Sequence, residues 1–132
     1  MVVRAGMATY SKRFECLSEV LKSIAPQVDE LVLYVNAQPS EFAGVTVPRK
    51  VTVVFAEEAL GDISARGKLY GALTQKSGLY FLVDDDFIYP PDYVDHFLRI
   101  ESLLGNSLLG VHGSVLPSRP RWYFERMSVH MS

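Results

Sequence analysis

Five short apolar runs divide the chain, and polar stretches that contain glycine or proline separate most of them. The runs are rich in β-branched and aromatic residues and show no strict alternation with polar residues. That pattern is typical of strands that are buried on both faces of a sheet. It predicts strands at 2–8, 31–35, 51–55, 79–83 and 108–111.

Between the runs, apolar residues recur at the three- and four-residue spacing of amphipathic helices. This spacing predicts helices at 12–24, 67–76 and 91–104. Pro91 fits the first turn of the last helix, because proline lacks the N–H that this turn leaves unpaired. The stretch 36–50 contains two prolines and a glycine and is predicted to be a loop.

The alternation of strands and helices predicts an α/β fold that forms one domain over residues 1–132. We expect a mostly parallel sheet with helices on both faces, joined by right-handed connections, which is a Rossmann-like arrangement. The turn after the first strand lacks the G-x-G-x-x-G pattern. That absence argues against dinucleotide binding of the dehydrogenase kind.

Composition narrows the classes of partner. The chain has 132 residues, of which 48% are hydrophobic, and its net charge of −2 argues against a nucleic-acid partner. No apolar stretch approaches the roughly 20 residues of a membrane span. The single cysteine, Cys16, excludes an internal disulfide, fits a cytoplasmic location and is expected to pack in the first helix.

The sharpest chemical feature is the run Asp84, Asp85 and Asp86, which directly follows the fourth apolar run. Three adjacent carboxylates repel one another and resist burial, so a cation is expected beside them, and a divalent metal would supply it. The carboxyl ends of parallel strands are also where open α/β sheets bind ligands. The alternative is a solvated strand end that caps the following helix.

Four blocks of sequence carry a family resemblance: 8–13, 26–36, 61–68 and 84–92. The last block contains the three aspartates and the Ile-Tyr-Pro-Pro-Asp that opens the next helix. With these blocks, the chain resembles the nucleotide-binding half of family 2 glycosyltransferases with the GT-A fold, especially bacterial capsule and lipopolysaccharide enzymes. The resemblance covers nearly the whole chain and identifies the aspartates with the D-x-D motif of that family.

The resemblance implies roles for five residues of the nucleotide-sugar site. Thr9 and Tyr10 would line the pocket for the base, and Arg66 or Lys68 would approach the diphosphate. Asn36 stands where many relatives have an aspartate that contacts the base or ribose. Each of these also has a simpler interpretation: Thr9 as a cap, Tyr10 as a packed aromatic, Asn36 as a turn residue, and the two cations as a solvated helix start.

For the aspartates, the resemblance implies a Mn²⁺ or Mg²⁺ ion held by Asp86 and Asp84, with Asp86 as the principal ligand. Asp85 would reach the ribose or support the metal ligands. The ion would neutralise the nucleoside diphosphate as it leaves, which is why hard oxygen ligands are needed there.

The implied function is transfer of a sugar, with inversion, from a nucleotide-diphosphate sugar to a glycan acceptor in polysaccharide biosynthesis. A UDP-sugar is the expected donor. Family members of this type are usually longer, so we expect the acceptor half and the catalytic base to be largely missing from a chain that stops at Ser132. Glu125, His112 and His130 are the late candidates for a base, and none lies in a family motif.

Two other functions remain open. The chain could be a non-catalytic nucleotide-sugar-binding or assembly module. A sugar nucleotidyltransferase is disfavoured, because the stretch 9–13 lacks the glycines of its phosphate loop. A late aromatic segment, Trp122, Tyr123 and Phe124, is expected to support homo-oligomer formation if it is uncovered.

Overall fold

The computed structural model describes residues 1–74, 77–115, 118–119 and 127–130 and has an α/β architecture. The chain divides into two compact units, residues 1–95 and 96–132. The strands are β1 (Val3–Tyr10), β2 (Glu30–Asn36), β3 (Val51–Phe55), β4 (Leu79–Val83), β5 (His112–Val115) and β6 (Met127–His130). The α-helices are α1 (Phe14–Ile24), α2 (Pro39–Phe42), α3 (Tyr70–Thr74) and α4 (Tyr93–Leu104).

The first unit is built on a four-stranded, all-parallel sheet in the order β3-β2-β1-β4. The chain moves outward from β1 through β2 to β3 and then returns to place β4 on the other side of β1. The four strands predicted from the apolar runs are confirmed, and β3 and β4 match their predicted bounds. The strand order reverses beside β1, which is where sheets of this kind leave a crevice at their carboxyl ends.

Helical segments cover both faces of this sheet, as predicted. On one face, the 3₁₀ segment Ser64–Leu69 packs so closely that a Cβ on Gly67 would lie 2.6 Å from the ring of Tyr34. On the other face, Phe42 of α2 packs edge-on against Phe55 of β3, with ring centroids 5.6 Å apart. Strand register places Tyr34 and Phe55 on opposite faces, because Val35, the neighbour of Tyr34, pairs with Phe55.

Tight 3₁₀ turns replace part of the predicted helical structure. The segment Ser64–Leu69 precedes the short helix α3, whereas the sequence pattern predicted one helix at 67–76, of which residues 75 and 76 lie outside the described part. The predicted loop at 36–50 contains α2, whose first turn is closed by a capping box between Gln38 and Glu41.

The predicted fifth strand at 108–111 is wrong. Gly105 and Asn106 both adopt positive φ, 59° and 34°, and turn the chain after α4, while Leu108 is fully exposed and packs against nothing that would favour a strand. The second unit instead contains β5, which pairs antiparallel with β6 in a separate two-stranded sheet.

The exposure of residues on α1 differs from the prediction at Cys16. Cys16, which was expected to pack in α1, is exposed, and its Sγ lies 3.4 Å from the carbonyl oxygen of Arg13. The face of α1 that packs is formed by Leu17, Val20, Leu21 and Ile24, all buried.

None of the helices in the described ranges is long and apolar enough to cross a membrane.

Candidate functional site

A pocket of about 450 Å³ opens at the carboxyl ends of β1, β2 and β4. Its position follows from the strand order, because the order reverses beside β1, and open α/β sheets bind ligands at the carboxyl ends of the strands at such a point. The pocket lies wholly within the first unit. Its walls are formed by Ala8, Thr9, Tyr10, Ser11, Asn36, Asp62, Ser64, Ala65, Lys68, Asp84 and Asp85.

The end of β1 supplies one wall. Thr9 is only 2% exposed, and its hydroxyl oxygen is buried without a hydrogen-bond partner among the described residues. Tyr10 is 42% exposed at the mouth of the pocket, and the guanidinium of Arg13 lies 6.0 Å from the centre of its ring. A buried, unpaired hydroxyl beside an exposed aromatic ring offers a ligand both a polar contact and a stacking surface.

The end of β2 supplies Asn36, whose side chain forms hydrogen bonds with backbone groups of the protein. Its amide nitrogen donates to the carbonyl oxygens of Thr9 at 3.4 Å and Ser64 at 3.2 Å, and its oxygen accepts from the N–H of Ile63 at 3.3 Å. A carboxylate could not donate to two carbonyl oxygens. Local hydrogen bonding therefore requires an amide rather than a carboxylate at this position.

The rim of the pocket is the segment 60–64, which a second β2 side chain also holds. The Tyr34 hydroxyl donates to the Gly61 carbonyl at 2.8 Å and accepts from the Leu60 N–H at 3.1 Å. Asp62 accepts from the Ser64 N–H at 2.8 Å, which stabilises the positive φ of 55° at Ser64. Five hydrogen bonds from Tyr34 and Asn36 therefore tie this irregular segment and the end of β1 to β2.

Two of the three aspartates carry ion pairs with cations of the protein. Asp84 pairs with Lys68 at 2.5 Å, and Asp86 pairs with Arg13 at 3.1 Å. The two cations come from different elements, the 3₁₀ segment before α3 and the turn before α1. The repulsion expected among the aspartates is therefore partly relieved without a metal ion.

Tyr89 fixes the backbone of the acidic strand end. Its hydroxyl accepts from the Asp84 N–H at 2.7 Å and donates to the Asp84 carbonyl at 3.2 Å. Burial raises the pKa of Tyr89 well above its usual range, so the hydroxyl stays protonated and can keep both bonds. The N–H of Tyr89 donates to Ser23 Oγ at 3.0 Å, which links the strand end to α1.

Asp85, unlike its two neighbours, forms no ion pair with any residue that the structure describes. Its Oδ2 atom is buried and makes no hydrogen bond within the described part of the chain. Burial raises the pKa of Asp85, and the nearby Thr9 hydroxyl and Arg13 guanidinium offset part of that rise. Asp85 and Thr9 therefore lie close to each other where the ends of β4 and β1 meet in the pocket lining.

The aspartate oxygens bear on the predicted metal. Among the described residues, no three His, Cys, Asp or Glu side chains are grouped so as to hold a metal ion by themselves. Mg²⁺ and Mn²⁺ bound to a nucleotide need only one or two carboxylates, because phosphate and water supply the other ligands. The unpaired oxygen of Asp85 and the neighbouring Asp84 carboxylate fit that smaller donor set.

The pocket brings together most of the residues that the sequence singled out: Thr9, Tyr10, Asn36, Lys68, Asp84 and Asp85. Two others lie outside its lining. Arg66 is exposed, and its Nε donates to the Ile63 carbonyl at 3.3 Å. Asp86 pairs with Arg13, so its role as a metal ligand stays a prediction.

Sequence reasoning missed Arg13 as a partner of the acidic cluster and missed Ser64 and Ala65 as parts of the wall. No local pattern signals the Arg13–Asp86 pair, because the residues meet only when β1 and β4 lie side by side. The glycine-containing stretch before α3 did mark an irregular segment, which turns out to be the rim.

The late candidates for a catalytic base belong to the second unit or lie outside the described residues. His112 is exposed at the start of β5, and His130 ends β6. Glu125 and the aromatic residues Trp122, Tyr123 and Phe124 lie outside the described residues. The catalytic base is therefore unassigned.

Neither the family models nor the curated proteins that were compared with this chain give a match. The function must therefore be argued from the geometry of the pocket.

Proposed function

We propose that this chain is the nucleotide-sugar-binding domain of a metal-dependent glycosyltransferase with the GT-A fold. The observation that carries the proposal is the composition of the pocket. An aromatic and hydroxyl wall at the end of β1 faces a lysine and two aspartates at the end of β4, across the point where the strand order reverses.

The size and polarity of the pocket suit a nucleoside diphosphate. A volume of about 450 Å³ lies within the usual range for small-molecule sites, roughly 300–1,000 Å³. Tyr10 would stack on the base, and the Thr9 hydroxyl would gain the hydrogen bond that it lacks. The ammonium of Lys68, whose side chain is 25% exposed, would donate charge-assisted hydrogen bonds to phosphate oxygens.

The acidic wall would hold the metal. Asp84 and Asp85 reach the pocket directly, and the family resemblance adds Asp86. A bound Mn²⁺ or Mg²⁺ would act as a Lewis acid that stabilises the negative charge of the diphosphate. Lys68 and Arg13 would share that task from either side of the acidic cluster, since both already lie against it.

Sugar transfer with inversion to a glycan acceptor, as in polysaccharide biosynthesis, extends this proposal and rests on the resemblance. The competing function is a nucleotide-sugar-binding module without catalysis. It is favoured by one observation: in the described lining of the pocket, the carboxylates are Asp62, Asp84 and Asp85, and the last two are committed to the donor site. Formation of a glycosylated product by this chain would exclude it.

Calorimetric titration of UDP tests the donor site. In Mn²⁺, we expect binding that EDTA weakens, and the variants Asp84→Asn and Asp86→Ala should each lose roughly tenfold or more in affinity. Glu19→Gln is the matched control, because Glu19 is a surface carboxylate of α1 that pairs with Lys22. Equal binding with and without metal, or no UDP binding at all, would contradict the proposal.

A further inference from the structure

The side chain of Asn36 lines the pocket, but its amide nitrogen and its oxygen form hydrogen bonds with backbone groups of the protein. Both amide hydrogens are directed at carbonyl oxygens, those of Thr9 and Ser64, and the oxygen accepts from Ile63. An amide side chain offers two donors and one acceptor atom. Asn36 therefore has no donor left for a ligand.

Apart from the β2 side chains and Asp62, the segment that Asn36 contacts is held by two backbone hydrogen bonds, from the Gly61 N–H to the Ala56 carbonyl at 2.8 Å and from the Arg66 N–H to the Ile63 carbonyl at 3.2 Å. Residues 60–63 have no regular secondary structure, and Ser64 adopts a positive φ that costs energy for a residue with a side chain. Gly61 also has positive φ, 72°, and a side chain there would meet nothing within 4 Å. Packing around Gly61 is thus sparse, and the hydrogen bonds from β2 add restraints on Leu60, Ile63 and Ser64.

We propose that Asn36 is a positioning residue. With the Tyr34 hydroxyl, it clamps segment 60–64 against the carboxyl end of β2 and so fixes the rim of the pocket. This inference rests on the proposed function only for the nature of the ligand, a nucleoside diphosphate. The clamp itself is a property of the protein without ligand.

Two bonds of the clamp have a reporter among the backbone amides: the Ile63 N–H donates to Asn36, and the Leu60 N–H donates to Tyr34. The Ser64 N–H, which donates to Asp62, reports on the neighbouring turn. Hydrogen exchange measured by NMR on the ligand-free protein can therefore follow the Asn36 and Tyr34 contacts separately. The amide of Leu33, in the middle of β2, reports on the stability of the sheet.

In Asn36→Ala, exchange at Ile63 should accelerate about tenfold, while exchange at Leu33 stays close to that of the unmodified protein. Tyr34→Phe is the matched control, because it should accelerate exchange at Leu60 and leave Ile63 largely protected. Unchanged exchange at Ile63 in Asn36→Ala would overturn the clamp. Equal acceleration at Leu33 would also overturn it, since the residue would then serve the sheet as a whole.

Asn36→Asp separates the two donors from the acceptor. The introduced carboxylate can still accept from Ile63, but at neutral pH its charge lies against the carbonyl oxygens of Thr9 and Ser64. At neutral pH, UDP affinity should be about tenfold below that of the unmodified protein, and this difference should shrink as the pH is lowered and the introduced carboxyl is protonated into a donor. Asp62, Lys68, Asp84 and Asp85 line the same pocket, so the pH profile of the unmodified protein is the reference.

The outcomes distinguish the clamp from the nucleotide function. Faster exchange at Ile63 together with unchanged UDP affinity in Asn36→Ala would overturn the positioning role. Faster exchange in a protein that never binds UDP would support the clamp and contradict the nucleotide function. Loss of UDP affinity in Asn36→Asp without recovery at lower pH would show that the donors of Asn36 do not matter.

Discussion

Asp85 is a single side chain whose burial destabilises the folded state, and a bound ligand would relieve that destabilisation. One of its oxygens is buried and unpaired, and burial raises its pKa. The folded state therefore holds the proton more tightly than the unfolded state does. Below the pKa of the unfolded chain this costs nothing, but as the pH rises through the folded pKa, ionisation destabilises the fold.

Asp85→Asn should remove this penalty. We expect the melting temperature of the variant to exceed that of the unmodified protein at neutral pH, and the difference to shrink as the pH falls through the acidic range where Asp85 becomes protonated. Thermal unfolding followed by circular dichroism at several pH values measures this. A variant that is less stable at neutral pH would show that the carboxylate is stabilised there, and Asp86→Asn, with its exposed side chain, serves as the comparison.

Lys68 and Arg66 provide a second test at the level of single residues, because the sequence could not choose between them. Lys68 lines the pocket and pairs with Asp84, whereas Arg66 is exposed and lies outside the lining. Lys68→Met should weaken UDP binding about tenfold and leave binding of uridine nearly unchanged, since a charged hydrogen bond to phosphate is lost. Arg66→Met should change neither by more than about twofold. Titrations of both ligands would decide between the residues, and the reverse result would assign the phosphate contact to Arg66.

The sequence predicted which residues lie at the carboxyl ends of the strands, but not how they pair. Thr9, Asn36 and Asp84 could be placed because each directly ends an apolar run or continues from it. The hydrogen bonds of Asn36 with Ile63 and Ser64 depend on the conformation of an irregular segment. No hydrophobic periodicity predicts that conformation. Pairing of side chains from separate elements depends on the tertiary fold and not on local sequence pattern.

At the level of elements, glycine lets the 3₁₀ segment approach the centre of the sheet. A Cβ on Gly6 of β1 would collide with the backbone carbonyl of Lys68 and come within 2.5 Å of the Tyr80 hydroxyl. Backbone cannot move aside as a flexible side chain can. The close contact between β1 and the Lys68 segment therefore requires a residue without a side chain.

Gly6→Ala should destabilise the fold by roughly 2 kcal/mol or more, because it forces apart two elements that pack tightly. Gly44→Ala is the matched control, since a Cβ there would meet nothing within 4 Å and alanine restricts the unfolded chain. Urea denaturation measures both. Equal midpoints for the two variants would mean that the sheet and the 3₁₀ segment separate more easily than their contacts indicate.

Strands were predictable where apolar, aromatic or β-branched residues follow one another without a break. The runs of β3 and β4 consist only of such residues, and their bounds were predicted correctly. The run at 108–111 is also mainly apolar, although it contains Gly110, yet Leu108 is fully exposed after the turn at Gly105 and Asn106. An apolar run becomes a strand only if a neighbouring strand is available to pair with it, and composition does not encode that neighbour.

For the first unit as a whole, the strand order predicts where a ligand should act. All four strands of the main sheet are parallel, so their carboxyl ends share one edge, and the pocket lies there. UDP with Mn²⁺ should slow amide exchange around Tyr10, Asn36 and Lys68. The opposite edge, around Val3 and Asp29, should be unaffected.

Hydrogen exchange monitored by mass spectrometry, with and without ligand, tests this prediction. Mn²⁺ alone is the control for effects of the ion. Protection concentrated at the opposite edge, or spread evenly over the first unit, would place the ligand elsewhere.

The position of β1 has a consequence for how the protein is made. β1 precedes the other strands of the sheet along the chain and lies inside the sheet, but one of its two partners, β4, is separated from it by β2, β3 and their connections. Until β4 leaves the ribosome, β1 presents an open edge with unpaired N–H and carbonyl groups. Closing that edge requires a contact between distant parts of the chain, which is slow. Yield on refolding should therefore fall as the protein concentration rises, because a strand from another chain can reach β1 before β4 does.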